Sequence, residues 1–238
     1  MNPTRVLFIA TSHDKLGNTA GKTGVWLEEL AAPYYIFKDA GVQLTVASPN
    51  GGLVPLDPKS ESIMVVTRNT KRFVKDEEAM DFLSHSTLLS EISADDFDMV
   101  FITGGHGSMW DLSNNKILKQ LLEAFNHQNK PIGSVCHGVV GLLTLQDDNG
   151  QLLVKGKQLT CFSDSEEKSA GLTSVVPFLL ESEFRTAGVS YSKGPDYESH
   201  VMTDGNLITG QNAASSAEVA KKLVALLQYN RQHPVTIE

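Results

Sequence analysis

The sequence predicts an α/β protein, a mainly parallel sheet with helices on both faces in a three-layer sandwich. Three observations carry this. Apolar runs of about five residues recur along the chain and read as strands buried in a sheet interior. Longer segments of helical spacing lie between them, as crossovers between parallel strands require. The chain has 238 residues, of which 41% are hydrophobic and 20% charged. That is enough to bury roughly 70% of the unfolded surface in one core and short for two full-sized units.

In chain order, residues 5–11 (RVLFIAT), 43–48 (QLTVAS), 99–103 (MVFIT) and 131–135 (PIGSV) read as the central strands. Helices are expected at 24–40, 76–91 and 114–129. A helix from Cys136 to about Leu145 comes next, followed by a turn of Asp147, Asp148, Asn149 and Gly150. A strand at 158–162, a helix containing 176–187, two short strands near Val189 and Leu207, and a closing helix at 213–229 complete the reading. Residues 49–93 stand apart, because the Pro49-Asn50-Gly51-Gly52 turn, Pro55 and Pro58 interrupt any regular element. They are expected to form an excursion packed over the sheet edge or the pocket of a single domain spanning 1–238.

Composition narrows the function. The 20 Lys plus Arg against 28 Asp plus Glu give a net charge of −8, which disfavours nucleic acid and anionic lipid as partners. No apolar run approaches the ~20 residues of a membrane span, so a cytoplasmic protein is expected. The two cysteines, Cys136 and Cys161, make neither a disulfide framework nor a paired-Cys metal motif. They leave a single-cysteine nucleophile open.

Ligands of open α/β sheets sit outside the carboxyl ends of the strands. At one such end lies Gly133-Ser134-Val135-Cys136-His137-Gly138, where an apolar strand passes into a helix within one residue. A nucleophile on that turn projects into the crevice, and glycines relieve the crowding around it. The start of the following helix is expected to lower the pKa of the Cys136 thiol. The His137 amide is placed to donate to an oxyanion, while its ring, on a neighbouring residue, is less well placed to reach the sulfur and needs a carboxylate to orient it. At a second strand end, Gly104-Gly105-His106-Gly107 offers the amides of Gly105 and His106 to the same oxyanion. Glu29 falls on the apolar face of the first helix with Val25, Trp26, Pro33 and Ile36, where burial raises a carboxyl pKa toward the range useful for acid-base work. Glu166 and Glu167 follow the 158–162 strand, and one of them is able to orient His137. Each feature also has a plain reading: a buried cysteine filler, a weak helix cap, a strand-ending turn, a carboxylate reaching solvent, an acid-rich helix start. Cys161, inside a strand, reads as core packing.

With these residues in view the sequence resembles the ThiJ/PfpI superfamily, the flavodoxin-like relatives of class I glutamine amidotransferases. Within it, it resembles the branch of heat-shock chaperone-like, glutathione-independent glyoxalases (glyoxalase III). The resemblance covers nearly the whole chain. It rests on Thr23-Gly24-Val25 with Glu29 and Pro33, on Gly104-Gly105-His106-Gly107, on Val135-Cys136-His137-Gly138, on Phe162 with Glu167, and on the stretch from Thr203 to Asn212 (TDGNLITGQN). It implies that Cys136 is the nucleophile of a Cys136-His137-Glu167 triad, with Glu166 as the fallback acid, and that Glu29 is the acid-base residue beside the thiol. It further implies a small 2-oxoaldehyde substrate such as methylglyoxal, no metal, cofactor or glutathione, and a homodimer. The same thiol would serve a redox-responsive chaperone-like protein or deglycase, or a small peptidase or amidase.

Overall fold

The structure, a computed structural model, describes residues 3–232. In chain order its elements are β1 (Arg5–Ile9), α1 (Leu27–Asp39), β2 (Gln43–Ser48), α2 (Arg68–Phe73), α3 (Glu77–Ser84), β3 (Thr87–Leu88), β4 (Met99–Ile102), α4 (Ser108–Asp111), α5 (Lys116–His127) and β5 (Ile132–Val135). They continue with β6 (Gln158–Leu159), α6 (Asp164–Ser169), α7 (Leu180–Thr186), β7 (Ser190–Tyr191), β8 (Val201–Asp204), β9 (Leu207–Gly210) and α8 (Ser216–Gln232). Seven strands form one sheet in the order β3-β2-β1-β4-β5-β9-β8, parallel throughout except that β8 runs against β9.

The central strands are apolar on both sides because both sides are covered. Leu7, Ile9, Val100, Ile102 and Ile132 face one core, which α5 closes with Leu118, Leu122 and Phe125. Val6, Phe8, Met99, Phe101 and Val135 face the other, closed by Leu30 and Phe37 of α1 and Val219 and Leu223 of α8. This period-two division between two helical layers makes the flavodoxin-like sandwich. The chain runs outward from β1 to β2 and β3, then returns to β4 on the other side of β1. That reversal opens a crevice at the carboxyl ends of β1 and β4.

Several expectations change in detail. The helix over 24–40 begins only at Leu27, since Val25 instead bridges Leu56, its N–H donating to Pro55 O and its carbonyl accepting from Asp57. Residues 49–93 thereby clamp the entry to α1, and they also supply the edge strand β3 after α3 ends at Ser84. The helix expected from Cys136 to about Leu145 is present over Cys136–Leu142, as a 3-10 helix. Gly138 and Gly141 are poor helix formers, and a Cβ on Gly138 would lie 2.3 Å from Thr103 O, so the segment is fixed by close packing. The 176–187 helix starts at Leu180, beyond Pro177, which disfavours helical geometry at the residue before it. Of the 158–162 strand only Gln158–Leu159 pairs, and it pairs with β7 in a separate ribbon. The Thr160 N–H donates to Thr209 Oγ1 at 3.0 Å, and the chain then brings Phe162 to the crevice and Ser163 to the N-cap of α6. β8 carries no apolar run that would mark it in the sequence; its mixed sequence VMTD forms an edge hairpin with β9 around Gly205, at φ 61°.

Candidate active site

Cys136 follows β5 directly and has φ 56°, left-handed backbone that a side-chain-bearing residue seldom adopts. This conformation turns the thiol off the end of the strand, and the neighbouring chain leaves room for it only because it lacks side chains. A Cβ on Gly104 would lie 2.2 Å from Glu29 Oε2, 2.7 Å from Val135 O and 2.8 Å from Cys136 Cβ. One on Gly105, at φ 100°, would lie 2.2 Å from Gly24 O.

The Cys136 sulfur lies 3.3 Å from Nδ1 of His137. The imidazole thus does reach the thiol of its chain neighbour, against expectation, because the left-handed turn brings both side chains to one side. His137 Nε2 lies 2.6 Å from Glu167 Oε2, and His106 Nε2 lies 2.8 Å from Glu167 Oε1. The two imidazoles are 4.0 Å apart between centroids, and the Phe162 ring lies 4.4 Å from that of His137. Glu166 points elsewhere. It closes a capping box with Ser163 at the start of α6 and accepts hydrogen bonds from Gln211 Nε2 and Asn212 Nδ2 at 3.0 and 2.8 Å. Of the two adjacent carboxylates, only Glu167 touches His137.

Glu29, in the first turn of α1, is 1% exposed, and its Oε2 has no hydrogen-bond partner of ordinary geometry. Burial pushes its pKa up to about 8, partly offset by the Cys136 thiol and the Gly104 amide that face it. Glu28 points the other way and accepts from Thr67 Oγ1 and Asn69 Nδ2, tying α1 to the start of α2. His200, downstream of the thiol, pairs with Ser192 Oγ at 3.1 Å and is not among the groups lining the cavity.

The electrostatics differ from those of an activated thiolate. Burial, with the Glu29 carboxyl beside it, raises the Cys136 pKa well above that of an ordinary thiol. The expected lowering by the following helix does not prevail, because desolvation and the Glu29 carboxyl outweigh the His137 amide at the start of that 3-10 helix. Burial and the His106 ring lower His137 to about 4, so it is neutral at pH 7. Burial opposes ionisation of Glu167, but hydrogen bonds from His106 and His137 outweigh it and hold the carboxyl well below its usual range. With Glu167 ionised, His137 donates from Nε2, which leaves the Nδ1 lone pair aimed at the thiol.

A cavity of about 200 Å³ opens onto these groups, lined by Trp26, Glu29, Cys136, His137, Phe162 and Tyr197, with Asp57 and Lys59 reaching it from the 49–93 excursion. His106, His137 and Glu167 also bring one donor atom each within 4.8 Å, the composition of a zinc site. Their Nε2–Oε separations of 2.6 and 2.8 Å are those of hydrogen bonds, tighter than the about 3.3 Å that two ligands on one zinc keep. The set fits protons better than a metal. The sequence points to His106 only through its amide, to Trp26 only as part of the apolar face of α1, and to Tyr197 not at all. The side-chain roles depend on contacts across 61 residues, from His106 to Glu167, that no local spacing signals.

A thiol on a left-handed strand end thus lies beside His137, itself paired with Glu167, in the crevice of a flavodoxin-like α/β sheet. The chain belongs to the DJ-1/PfpI family, whose profile matches residues 22–226. It is 30% identical to glutathione-independent glyoxalase hsp3101 of Schizosaccharomyces pombe, over 96% of this chain and 98% of that one. Among solved structures it is similar to Rapid Encystment Protein 24 KDa of Francisella tularensis, at 38% identity and a TM-score of 0.90, covering 94% of this chain and 99% of that one. It is also similar to glyoxalase III of Candida albicans, at 26% identity and a TM-score of 0.86, covering 93% and 96%.

Proposed function

We propose that this protein is a glutathione-independent glyoxalase that converts methylglyoxal and related 2-oxoaldehydes to 2-hydroxy acids, with D-lactate as the product from methylglyoxal. The observation that carries the reading is the placing of Cys136 between two groups of opposite readiness. His137 is neutral and able to accept a proton at Nδ1, and Glu29 stays protonated to about pH 8. The names of the relatives point the same way.

The reaction closes without an external reductant or oxidant. His137 Nδ1 takes the thiol proton as sulfur bonds to the aldehyde carbon, and Glu29 protonates the aldehyde oxygen, giving a hemithioacetal. Amides of Gly105, His106 and His137 stabilise the oxygen while charge develops on it. The Glu29 carboxylate then removes the C1 proton while the imidazolium protonates the ketone oxygen, and an enediol forms. Return of the carbon-bound proton from Glu29 to C2, with the C1 hydroxyl proton passing to His137, leaves a 2-hydroxy thioester. Water, deprotonated by Glu29, hydrolyses it, and His137 returns the thiol proton. The sum adds one water to the 2-oxoaldehyde.

The raised thiol pKa weakens the alternative of a peroxide sensor, which needs a ready thiolate. The small cavity weakens that of a peptidase, which needs a groove for extended chain. Lactate formed from methylglyoxal without glutathione, assayed beside a Cys136→Ala variant, tests the proposal. Formation by the wild type and loss in the variant are expected, and undiminished turnover in the variant would overturn it.

A further inference from the structure

Methylglyoxal has five heavy atoms, which fill about 100 Å³ at roughly 20 Å³ per close-packed atom. The cavity of about 200 Å³ therefore has room beyond the reacting carbons, and the room is walled by Trp26, Phe162, Tyr197, Leu16 and Leu172. Tyr197 stands out among these. It has φ 62°, an unusual conformation for an aromatic residue, and such strain persists only where the surroundings enforce it. Glu166 enforces it twice, accepting the Tyr197 N–H at Oε1 (2.8 Å) and the phenolic O–H at its main-chain carbonyl (3.1 Å). Glu166 is itself fully buried and fixed by Ser163, Gln211 and Asn212. Tyr197 is 51% exposed, yet it is held at both ends.

The ring so fixed lies 6.4 Å from Phe162, which in turn packs on the His137 imidazole. An aromatic row thus runs from the His137 imidazole through Phe162 to the half-exposed Tyr197. Of the excursion's two polar groups at the cavity, Asp57 is engaged by Thr23 Oγ1 and the Lys59 N–H, both at 2.9 Å, which leaves Lys59, among the described residues, as the one cation beside the aromatic and apolar wall. Rigid apolar and aromatic surface favours an apolar substituent, since each buried methylene adds several-fold in affinity and a pre-fixed wall loses no side-chain freedom on binding.

We infer that the site prefers 2-oxoaldehydes bearing an aromatic-sized apolar substituent over methylglyoxal, with the substituent against Phe162 and Tyr197. The inference rests on the glyoxalase reading, and one experiment separates the two. Rates of 2-hydroxy acid formation from phenylglyoxal and methylglyoxal are measured and each is divided by the aldehyde's rate of addition to a free thiol. The wild type is expected to favour phenylglyoxal in kcat/KM by about ten-fold or more. Tyr197→Ala should cut that ratio at least about five-fold, Tyr197→Phe should keep most of it, and Leu172→Trp, which fills the cavity, should lower it. Turnover of methylglyoxal with a wild-type ratio of one or below overturns the inference and leaves the glyoxalase reading standing, as does a ratio unchanged in both Tyr197→Ala and Leu172→Trp. Turnover of neither substrate removes both.

Discussion

Glu167 is the group whose charge orders the rest of the site, because two histidines point at its two oxygens and only one of them touches the thiol. Replacing it with Gln removes the acceptor that fixes the His137 tautomer. Glu167→Gln should lower kcat by about 10²- to 10⁴-fold with the fold retained, as read by turnover beside a thermal melt. On the proposed mechanism His106, bonded to Glu167, acts through it as a positioning residue. His106→Ala should shift the acid limb of the pH profile, and His106→Gln, which restores an N–H donor, should recover part of the loss. For the wild type, kcat/KM should follow a bell. It falls below about pH 4 as His137 becomes protonated and can no longer accept the thiol proton. It falls above about pH 8 as Glu29 ionises and sets a negative charge against the sulfur. A profile still rising beyond pH 9 would show that the thiolate, not the protonated Glu29 pair, is the reactive form. Cys136 and Glu29 were visible in the sequence through a strand-end cysteine and a carboxylate on an apolar helix face. The choice of Glu167 over Glu166 was not visible from local pattern, since adjacent helical residues diverge by about 100° and only the packing of α6 decides which faces His137.

Among the secondary-structure elements, the strands were the most readable, because unbroken apolar runs in a parallel sheet have no competing explanation once they recur at crossover spacing. The 43–48 strand lies where the pattern put it. The pieces around 158–162 and 201–204 were less readable, being short and stabilised by side-chain bonds such as Thr160 to Thr209 in place of a long ladder. The helix after β5 lies where it was expected, but its 3-10 form is not legible in the sequence, because its glycines serve contact with β4 and Thr103 and periodicity does not record that demand. Gly104 tests this. Gly104→Ala places a methyl where Glu29 Oε2, the Val135 carbonyl and the Cys136 Cβ leave no space. It should cost about 1–3 kcal/mol in chemical denaturation and lower turnover further than that loss alone explains, because the displaced groups are Glu29 and Cys136.

The buried carboxyl of Glu29 also bears on the stability of the entire chain. Below its ordinary value near 4.5 both folded and unfolded chains hold the proton. Between there and about pH 8 the unfolded chain releases it while the folded chain keeps it, so stability falls as pH rises through that window. Glu29→Gln removes this slope, and its melting temperature relative to wild type should increase from about pH 5 to about pH 8. Glu167 works in the opposite sense, contributing stability that is lost as pH falls below the ordinary carboxylate range. The DJ-1/PfpI framework therefore holds, in one crevice, an acid kept neutral and an acid kept charged, with a neutral imidazole and a thiol between them. Peptide mass mapping after quenching the protein during turnover of methylglyoxal tests directly whether that thiol forms the covalent intermediate. The mass of one methylglyoxal should appear on the peptide carrying Cys136 and not on that carrying Cys161, and Cys136→Ser should abolish both the adduct and lactate formation. Lactate formed at the wild-type rate by Cys136→Ser, or turnover with no mass added at Cys136, would contradict it.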